Sequence, residues 1–205
     1  MNHASRLSPT TNVTFLGGEA ELVAGLKANN PAAQRAFFTR YCRYVERVLR
    51  GVLGPGADLS DVTQDTFLAA FRQVGGLRAA VALTEWLRTI AVGVAHNRIR
   101  SRTRNRWLLF FAPQLVPEPA PLAPAHLEAS QALREVYAVL GQMPAAERIA
   151  FSLRHIEDMT VPEIAKTTGV SESTAKRKLR HAEDLFEEAK QSHPALLDWC
   201  RTEGS

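Results

Sequence analysis

The segment Thr160–Ala189, TVPEIAKTTGVSESTAKRKLRHAEDLFEEA, decides how the second half of this chain folds. Thr160 is followed three residues later by Glu163, and this spacing is that of a capping box, which predicts the start of a helix. Gly169 supplies the left-handed residue that ends this helix, and Ser171 is a suitable cap for a second one. The segment therefore predicts a helix, a tight turn and a second helix.

The second of these helices is expected to have one apolar face and one basic face. Apolar residues recur at helical spacing and should face the core: Ala175, Leu179, Ala182 and Phe186. The polar residues at the start of the helix and along its other face are candidates for contacting DNA: Ser171, Ser173, Thr174, Lys176, Arg177, Lys178, Arg180 and His181. A helix-turn-helix presents its second helix to the major groove of DNA in this way. A helix pair with a solvated basic face remains the alternative, although such a face usually mixes its charges.

Length and composition set broad limits on the rest of the chain. It has 205 residues, a hydrophobic fraction of 45% and a formal net charge of +4. These values allow packed cores in one or two small domains, and the mildly basic charge permits a polyanionic partner. Residues 1–17 contain no apolar run long enough for a signal peptide and are expected to form a flexible leader. No stretch approaches the roughly 20 apolar residues of a membrane span, so we expect a soluble, cytoplasmic protein.

The order of helices and linkers predicts an all-α fold of two small helical domains, because no segment has the pattern of a β-strand. Five prolines between Ala112 and Ala125 favour an extended linker. We therefore expect a first domain over 18–107, a proline-rich linker over 108–126, a second domain over 127–190 and a tail over 191–205. The expected helices are Glu19–Ala28, Pro31–Leu53, a helix from Asp58 or Ser60 to Gly75, a helix capped by Thr84 that runs into Arg104, Leu127–Leu140, Ala145–His155, Thr160–Thr168 and Ser171–Ala189.

The first domain has a second candidate for binding nucleic acid. Between Arg72 and Arg106 there are eight arginines and one acid, Glu85. Arginine suits phosphate because its guanidinium donates paired hydrogen bonds and stays charged, and clustered cations release counterions from DNA. The preceding loop, Gly75–Leu83, contains small residues and Arg78. Trp86 is more readily a core residue than a stacking platform for a base.

A third feature of the first domain has the opposite charge. Asp58, Asp61, Gln64 and Asp65 are expected to lie along one face of a helix, with Val62, Phe67 and Leu68 on the other. These acids either face solvent and complement the helix dipole or form a docking strip for a protein partner. Spacing alone does not decide between the two.

The sequence gives no sign of catalysis, of a metal site or of a cofactor. The six histidines are scattered without the spacing of metal ligands, and no glycine-rich loop of the phosphate-binding kind occurs. The two cysteines, Cys42 and Cys200, are far apart and suggest neither a zinc site nor a disulfide framework. We therefore expect a protein that is not an enzyme and that holds no metal ion or cofactor.

Taken together, these motifs resemble the extracytoplasmic-function (ECF) group of bacterial sigma factors in the sigma-70 family. DLSDVTQDTFLAAFRQVGGLR (Asp58–Arg78) is similar to the most recognisable helix of that group, with its D-x-x-D-x-x-Q-[DE]-x-F spacing. LTEWLRTIAVGVAHNRIRSRTR (Leu83–Arg104) is similar to the helix that follows it. The C-terminal helix-turn-helix resembles the fourth region of the family.

The resemblance implies a protein that binds core RNA polymerase and directs initiation at specific promoters. It implies that the acidic strip Asp58, Asp61, Gln64 and Asp65 docks on the polymerase and that the helix-turn-helix reads the minus-thirty-five element. It further implies contacts with the minus-ten element from Arg78, Trp86, Asn97, Arg98, Arg100, Arg102 and Arg104. An anti-sigma factor is a further expected partner. Two residues depart from the family pattern: Gly93 stands where Asn is common, and Asn97 where Asp is common.

A stand-alone helix-turn-helix regulator that binds duplex DNA without polymerase is the alternative reading. Such a regulator needs neither an acidic docking strip nor a separate arginine-rich helix, and the sequence contains both. The sigma-factor interpretation is therefore the leading hypothesis from the sequence.

Overall fold

The computed structural model describes residues 18–55, 57–77, 82–109 and 127–192, and every regular element among them is helical. The all-α prediction is confirmed. A short 3₁₀ turn, Val74–Gly76, follows the third helix. The α-helices are α1 Glu19–Lys27, α2 Pro31–Leu53, α3 Leu59–Gln73, α4 Leu83–Leu109, α5 Leu127–Gln142, α6 Ala145–His155, α7 Val161–Thr168 and α8 Glu172–Lys190.

Local sequence signals explain where most of these helices begin and end. The Asn30 side chain accepts a hydrogen bond from the Ala32 N–H at 2.8 Å and so caps α2. The Glu163 carboxylate accepts a hydrogen bond from the Thr160 N–H at 2.8 Å, which completes the predicted capping box of α7. Gly169 ends α7 with φ 68° and ψ 29°, a left-handed conformation that costs glycine little.

The start of α4 differs from the prediction. The helix begins at Leu83, so Thr84 lies inside its first turn and is not its cap. Leu83 is completely buried. Burial of this side chain anchors the first turn to the core, and the helix does not depend on a hydroxyl cap at Thr84.

The first domain packs α1, α2, α3 and α4 around a group of aromatic rings. Phe37 on α2 is fully buried at the centre. Its ring lies 5.1 Å from that of Tyr41 and 5.4 Å from that of Phe67, measured between centroids, and the Phe67 pair meets edge to face. Such aromatic pairs add to the stability that burial alone provides.

The second domain has a smaller core of its own between α5, α6 and α8. The Phe151 and Phe186 rings stack with centroids 4.7 Å apart, and Ala182 is fully buried beside them. Phe186 is half-buried, so the apolar face predicted for α8 does pack inward. The remaining buried members of this core are Val139, Leu140 and Met143.

The two domains share a larger core as well. Ile164 and Ala175 of the helix-turn-helix belong to the same buried cluster as Leu87 and Ile90 of α4. Helix α4 contacts α6 and α7, and α2 contacts α6. Helix α4 is therefore covered on one side by its own domain and on another by the helix-turn-helix. The sequence pattern does not indicate this contact.

The expected boundaries between domains remain predictions. Helix α4 runs to Leu109 and α5 begins at Leu127, so most of the expected linker falls on residues 110–126, outside the described residues. The leader over 1–17 also lies outside them, and so does the tail apart from Gln191 and Ser192.

Candidate nucleic-acid interface

The turn of the helix-turn-helix is held by a group of hydroxyls. The Ser171 Oγ accepts a hydrogen bond from the Thr174 N–H at 3.3 Å and so caps α8 as predicted. The same oxygen lies 3.0 Å from Ser173 Oγ and 2.9 Å from Thr174 Oγ1. These mutual contacts fix the first turn of α8 and place the exposed Ser171 and Ser173 at its tip.

The basic residues of α8 form an exposed face. The side chains of Lys176, Arg177, Arg180 and His181 are all solvent-exposed, whereas Ala175, Leu179 and Ala182 on the opposite face are buried. This alternation matches the face predicted from the sequence. We call Ser173, Lys176, Arg177 and Arg180 the α8 basic face.

Lys178 has a different environment from its neighbours on α8. It is half-buried, and its Nζ lies 3.5 Å from Glu147 Oε1 on α6. His181 Nδ1 lies 3.7 Å from the same carboxylate oxygen. Lys178 therefore faces α6, and contact with DNA would require it to leave Glu147. The sequence missed this because its partner lies on another helix.

The predicted minus-ten residues fall into two groups on α4. Asn97, Arg100 and Arg102 are exposed, and Arg98 is half-buried. Arg104 lies in α4 but its side chain is outside the described residues, and Arg78 falls within the undescribed segment 78–81. The structure thus brings four of the polar candidates onto adjacent turns of one helix.

Trp86 packs against the core of the first domain and is half-buried. This location agrees with the core reading of Trp86 taken from the sequence. Its exposed edge lies in the first turns of α4, so contact with a base is still a prediction for this residue.

A groove of about 590 Å³ runs between α3 and α4. Arg72 and Gln73 line it from α3, and Asn97, Arg98 and Ser101 line it from α4. Gly93 also lies on this groove, and a Cβ there would meet nothing within 4 Å. Both residues that depart from the family pattern, Gly93 and Asn97, therefore border the same open groove.

The acidic strip on α3 is exposed as expected. Asp58 caps the helix through a hydrogen bond that its Oδ1 accepts from the Asp61 N–H at 3.4 Å. Asp61, Gln64 and Asp65 are exposed on the following turns.

The placement of Leu68 on the buried face of α3 was wrong. Val62 and Phe67 are buried, but 45% of Leu68 is exposed. Leu68 follows Gln64 by four positions and Asp65 by three, so it shares their face. Phe38 of α2 is also exposed, at 44%, and its ring lies 4.8 Å from that of Phe67 on α3. An exposed apolar side chain thus lies on the same face as the acidic strip, and periodicity alone assigned Leu68 to the wrong side.

The described ranges contain no group of three or more histidine, cysteine, aspartate or glutamate side chains able to hold a metal ion. Nor does any helix in those ranges combine the length and apolar character needed to cross a membrane.

Two protein-family models match the chain at the positions of these surfaces. The model for sigma-70 region 2 matches residues 37–105, and the model for sigma-70 region 4 matches residues 133–184. The chain belongs to the sigma-70 family. The region 2 match runs from within α2 to α4, and the region 4 match runs from within α5 to α8. Proteins of this family are transcription initiation factors that have no catalytic step of their own.

Related proteins narrow the assignment to the ECF group. The sigma factor is 27% identical over 164 residues to the ECF RNA polymerase sigma factor SigM of Mycobacterium tuberculosis, with 80% of each chain covered. It is 26% identical over 166 residues to the ECF RNA polymerase sigma-E factor of Escherichia coli, covering 75% of this chain and 86% of the relative.

Solved structures show the same fold. CnrH, solved in complex with the cytosolic domain of CnrY, matches with a TM-score of 0.56 at 20% identity, covering 85% of this chain and 97% of CnrH. The Bartonella quintana sigma factor RpoE, solved with the anti-sigma factor NepR, matches with a TM-score of 0.55 at 19% identity, covering 77% of this chain and 96% of RpoE.

The alternative of a stand-alone helix-turn-helix regulator is not favoured. Such a regulator would account for the match over residues 133–184 but not for the match over residues 37–105. The protein is an RNA polymerase sigma factor that acts in transcription initiation.

Proposed function

We propose that this sigma factor divides its work among three surfaces: α3 docks on core RNA polymerase, α4 reads the minus-ten element and the α8 basic face reads the minus-thirty-five element. The observation that carries the proposal is the separation of charges among these helices. Acids line α3, whereas exposed basic residues line α4 and α8. Acidic and basic faces suit a protein partner and a polyanion respectively.

The α3 surface has the composition of a protein-binding site. Leu68 is an exposed apolar side chain on the same helix face as Gln64 and Asp65, and Phe38, whose ring lies 4.8 Å from that of Phe67 on α3, is exposed as well. Protein interfaces commonly place apolar anchors at their centre and polar residues at the rim. A basic partner surface with an apolar pocket would complement this face, and we assign that role to the polymerase.

The two basic helices suit different parts of a promoter. Arg177 and Arg180 project from a capped recognition helix, which fits the major groove of duplex DNA. Asn97, Arg98 and Ser101 border the groove between α3 and α4, and polar side chains around an open groove suit an unpaired strand. The cytoplasm, where bacterial transcription takes place, is the proposed site of action, and no catalytic step or cofactor is assigned to the chain.

An anti-sigma factor is a further proposed partner. The similar protein RpoE was solved in complex with the anti-sigma factor NepR, and CnrH was solved in complex with the cytosolic domain of CnrY. Both matches extend over more than three quarters of this chain, and this supports the proposal of a comparable partner.

In vitro transcription tests the proposal. Bacterial core polymerase is combined with a library of upstream promoter fragments, with and without the protein. New promoter-specific transcripts are expected, and their start sites would define both recognition elements. Absence of transcripts together with binding to duplex DNA in the absence of polymerase would contradict the proposal.

A charge-reversal variant tests the docking surface in the same assay. Asp61→Lys with Asp65→Lys should abolish copurification with core polymerase and the new transcripts, while circular dichroism still shows a helical fold. Glu187→Lys with Glu188→Lys, on the far end of α8, makes the same change in net charge and serves as the control. If the α3 variant still copurifies with polymerase, the docking surface lies elsewhere.

A further inference from the structure

The joint between the two domains is built at the C-terminal end of α2. The last carbonyl groups of a helix have no partner within the helix. The Gly54 N–H returns to the Arg50 carbonyl at 2.9 Å. Pro55 follows and has no N–H to donate. The Gly51, Val52 and Leu53 carbonyls therefore need donors from elsewhere in the protein.

Two side chains of the region 4 domain supply those donors. The Tyr137 hydroxyl lies 3.0 Å from the Arg50 and Gly51 carbonyl oxygens and shares its one hydrogen between them. Arg148 donates from Nε to the Val52 carbonyl at 3.0 Å and from Nη2 to the Leu53 carbonyl at 2.9 Å. One domain thus caps a helix of the other.

Charge and shape both fit this capping. The C-terminus of a helix carries partial negative charge, so the guanidinium of Arg148 is placed where a cation is favourable. Gly54 has φ 86°, and a Cβ on it would come within 2.8 Å of the Tyr137 ring. A larger residue at position 54 would therefore push Tyr137 away from α2.

The polar groups at the joint contribute terms of opposite sign, in addition to the apolar core that the two domains share. Burial lowers the pKa of the Arg148 guanidinium, and the positive charge of Arg102 on α4 lowers it further. These effects oppose closure, and the hydrogen bonds to α2 offset them. On the other side of the joint Lys166 pairs with Glu85, but both side chains are largely exposed, and such pairs contribute little.

The closed arrangement does not fit simultaneous reading of two promoter elements. The minus-ten and minus-thirty-five elements lie about 25 base pairs apart. This separation is about 85 Å along B-DNA, at about 3.4 Å per base pair. A compact chain of this size has a radius of gyration of only about 17 Å. In the structure α7 packs directly against α4. The helix-turn-helix must therefore leave α4 before both elements can be bound.

We propose that Tyr137 and Arg148 form a latch that keeps the free sigma factor closed and inhibits its own binding to promoters. Opening moves the region 4 domain away from the end of α2 and releases α4. Core polymerase, which needs the domains apart, would bind the open form. The inhibitory role of the latch rests on the proposed function, in which α4 and α8 read different promoter elements. The closed joint is observed independently of that proposal.

Distance measurements between fluorescent labels test the latch. In full-length protein with Cys42 and Cys200 replaced by serine, labels are placed at Ser60 on α3 and Glu188 on α8, both exposed. Labelled protein with the unmodified joint should show one population, in which the two labels are a short distance apart. Tyr137→Phe combined with Arg148→Met, which keeps volume and removes the donors, should raise the long-distance population at least threefold.

Two control variants remove equivalent groups without touching the joint. Arg154→Met changes another arginine of α6, whose Nη1 donates to the Met159 carbonyl within region 4 at 3.2 Å. Tyr41→Phe removes a hydroxyl that donates a hydrogen bond to the Glu19 carboxylate at 3.1 Å within the first domain. Neither should lengthen the distance. Equal distances in latch and control variants, or a free protein that is already open, would overturn the latch.

Binding of two-element promoter DNA without polymerase separates the latch from the proposed function. The latch variant should bind at least threefold more tightly than the parent, and circular dichroism checks that it stays folded. If the joint opens but promoter binding does not rise, the contact is structural and the inhibitory role is overturned. The proposed function is judged separately, by transcription with core polymerase. If Tyr137→Phe with Arg148→Met does not fold, Arg148→Lys, which keeps the charge and loses one capping bond, replaces it and should open the joint partially.

Discussion

Helices α4 and α8 both carry runs of basic residues, but the fold uses the two helices differently. On α8 three residues are buried, Ala175, Leu179 and Ala182, and the basic side opposite them faces solvent. On α4 the core of region 2 covers one side and the helix-turn-helix packs on another. The number of basic residues in a helix therefore does not show whether the helix is a solvent-exposed DNA-binding surface or a central element of the core. We therefore expect substitutions on the α8 basic face to disturb the fold less than substitutions on α4.

The largest expected difference between the helices concerns stability. Leu87 of α4 is fully buried, whereas Leu185 of α8 is half-buried. Leu87→Ala should lower the free energy of unfolding by about 2–5 kcal/mol, because it removes buried surface and leaves a cavity. Leu185→Ala should lower it by clearly less. Urea unfolding followed by circular dichroism measures both, and equal losses would contradict the central position of α4.

The next effect concerns DNA binding by α8. Arg177→Ala with Arg180→Ala should weaken promoter binding by the holoenzyme by about 1–3 kcal/mol for each of the two arginines that reads a base. Stability should hardly change, because both side chains are exposed. Lys190→Ala at the far end of the same helix is the control. Unchanged promoter binding in a gel-shift titration would show that the α8 basic face does not read the promoter.

A smaller effect is expected at Gly93 in α4. Glycine inside a helix is less favourable than alanine by about 1 kcal/mol, and a Cβ at this position meets nothing within 4 Å. Gly93→Ala should therefore raise the free energy of unfolding by about 0.5–1 kcal/mol. The same urea titration checks it. A loss of stability would show that the space beside Gly93 is needed by a neighbouring side chain.

The smallest effect is a pH dependence at His96, which faces region 4 from α4. Burial lowers the pKa of this imidazole, and the charges of Arg100 and Lys178 lower it further from its ordinary value of 6.5. The folded state therefore favours neutral His96, and the unfolded state binds the proton more readily. Stability is retained above pH 6.5 and declines as the pH falls through the region below it.

A comparison with His96→Gln isolates this group from the other titrating residues. The parent should lose more stability than the variant when urea midpoints are compared at about pH 7.5 and 5.5, on either side of the ordinary histidine value. Identical losses would show that His96 does not contribute.

Much of the structure was predictable from the sequence. The capping box at Thr160, the left-handed Gly169 and the cap at Ser171 each act within a few residues, so the helix-turn-helix could be read directly from the chain. Helical spacing also placed Ala175 and Leu179 inside and the basic residues outside. The roles assigned to individual residues in DNA and polymerase binding remain predictions.

The wrong prediction and the contact that was not predicted both depend on segments that are distant in the sequence. Periodicity placed Leu68 inside, but only the packing of α2 and α4 on α3 determines how wide the buried face is. The partner of Lys178 on α6 was equally invisible in the sequence.

The sequence by itself determined the helices, their caps and the basic and acidic faces, because those depend on local backbone chemistry and on periodicity. Tertiary structure alone decided how the two domains meet. The Arg148 Nε and the Val52 carbonyl that it caps are separated by 96 positions, and neither residue has a local signal for the contact. The last carbonyl groups of a helix can accept hydrogen bonds from a side chain anywhere in the chain. Only the three-dimensional fold therefore determines which side chain reaches them.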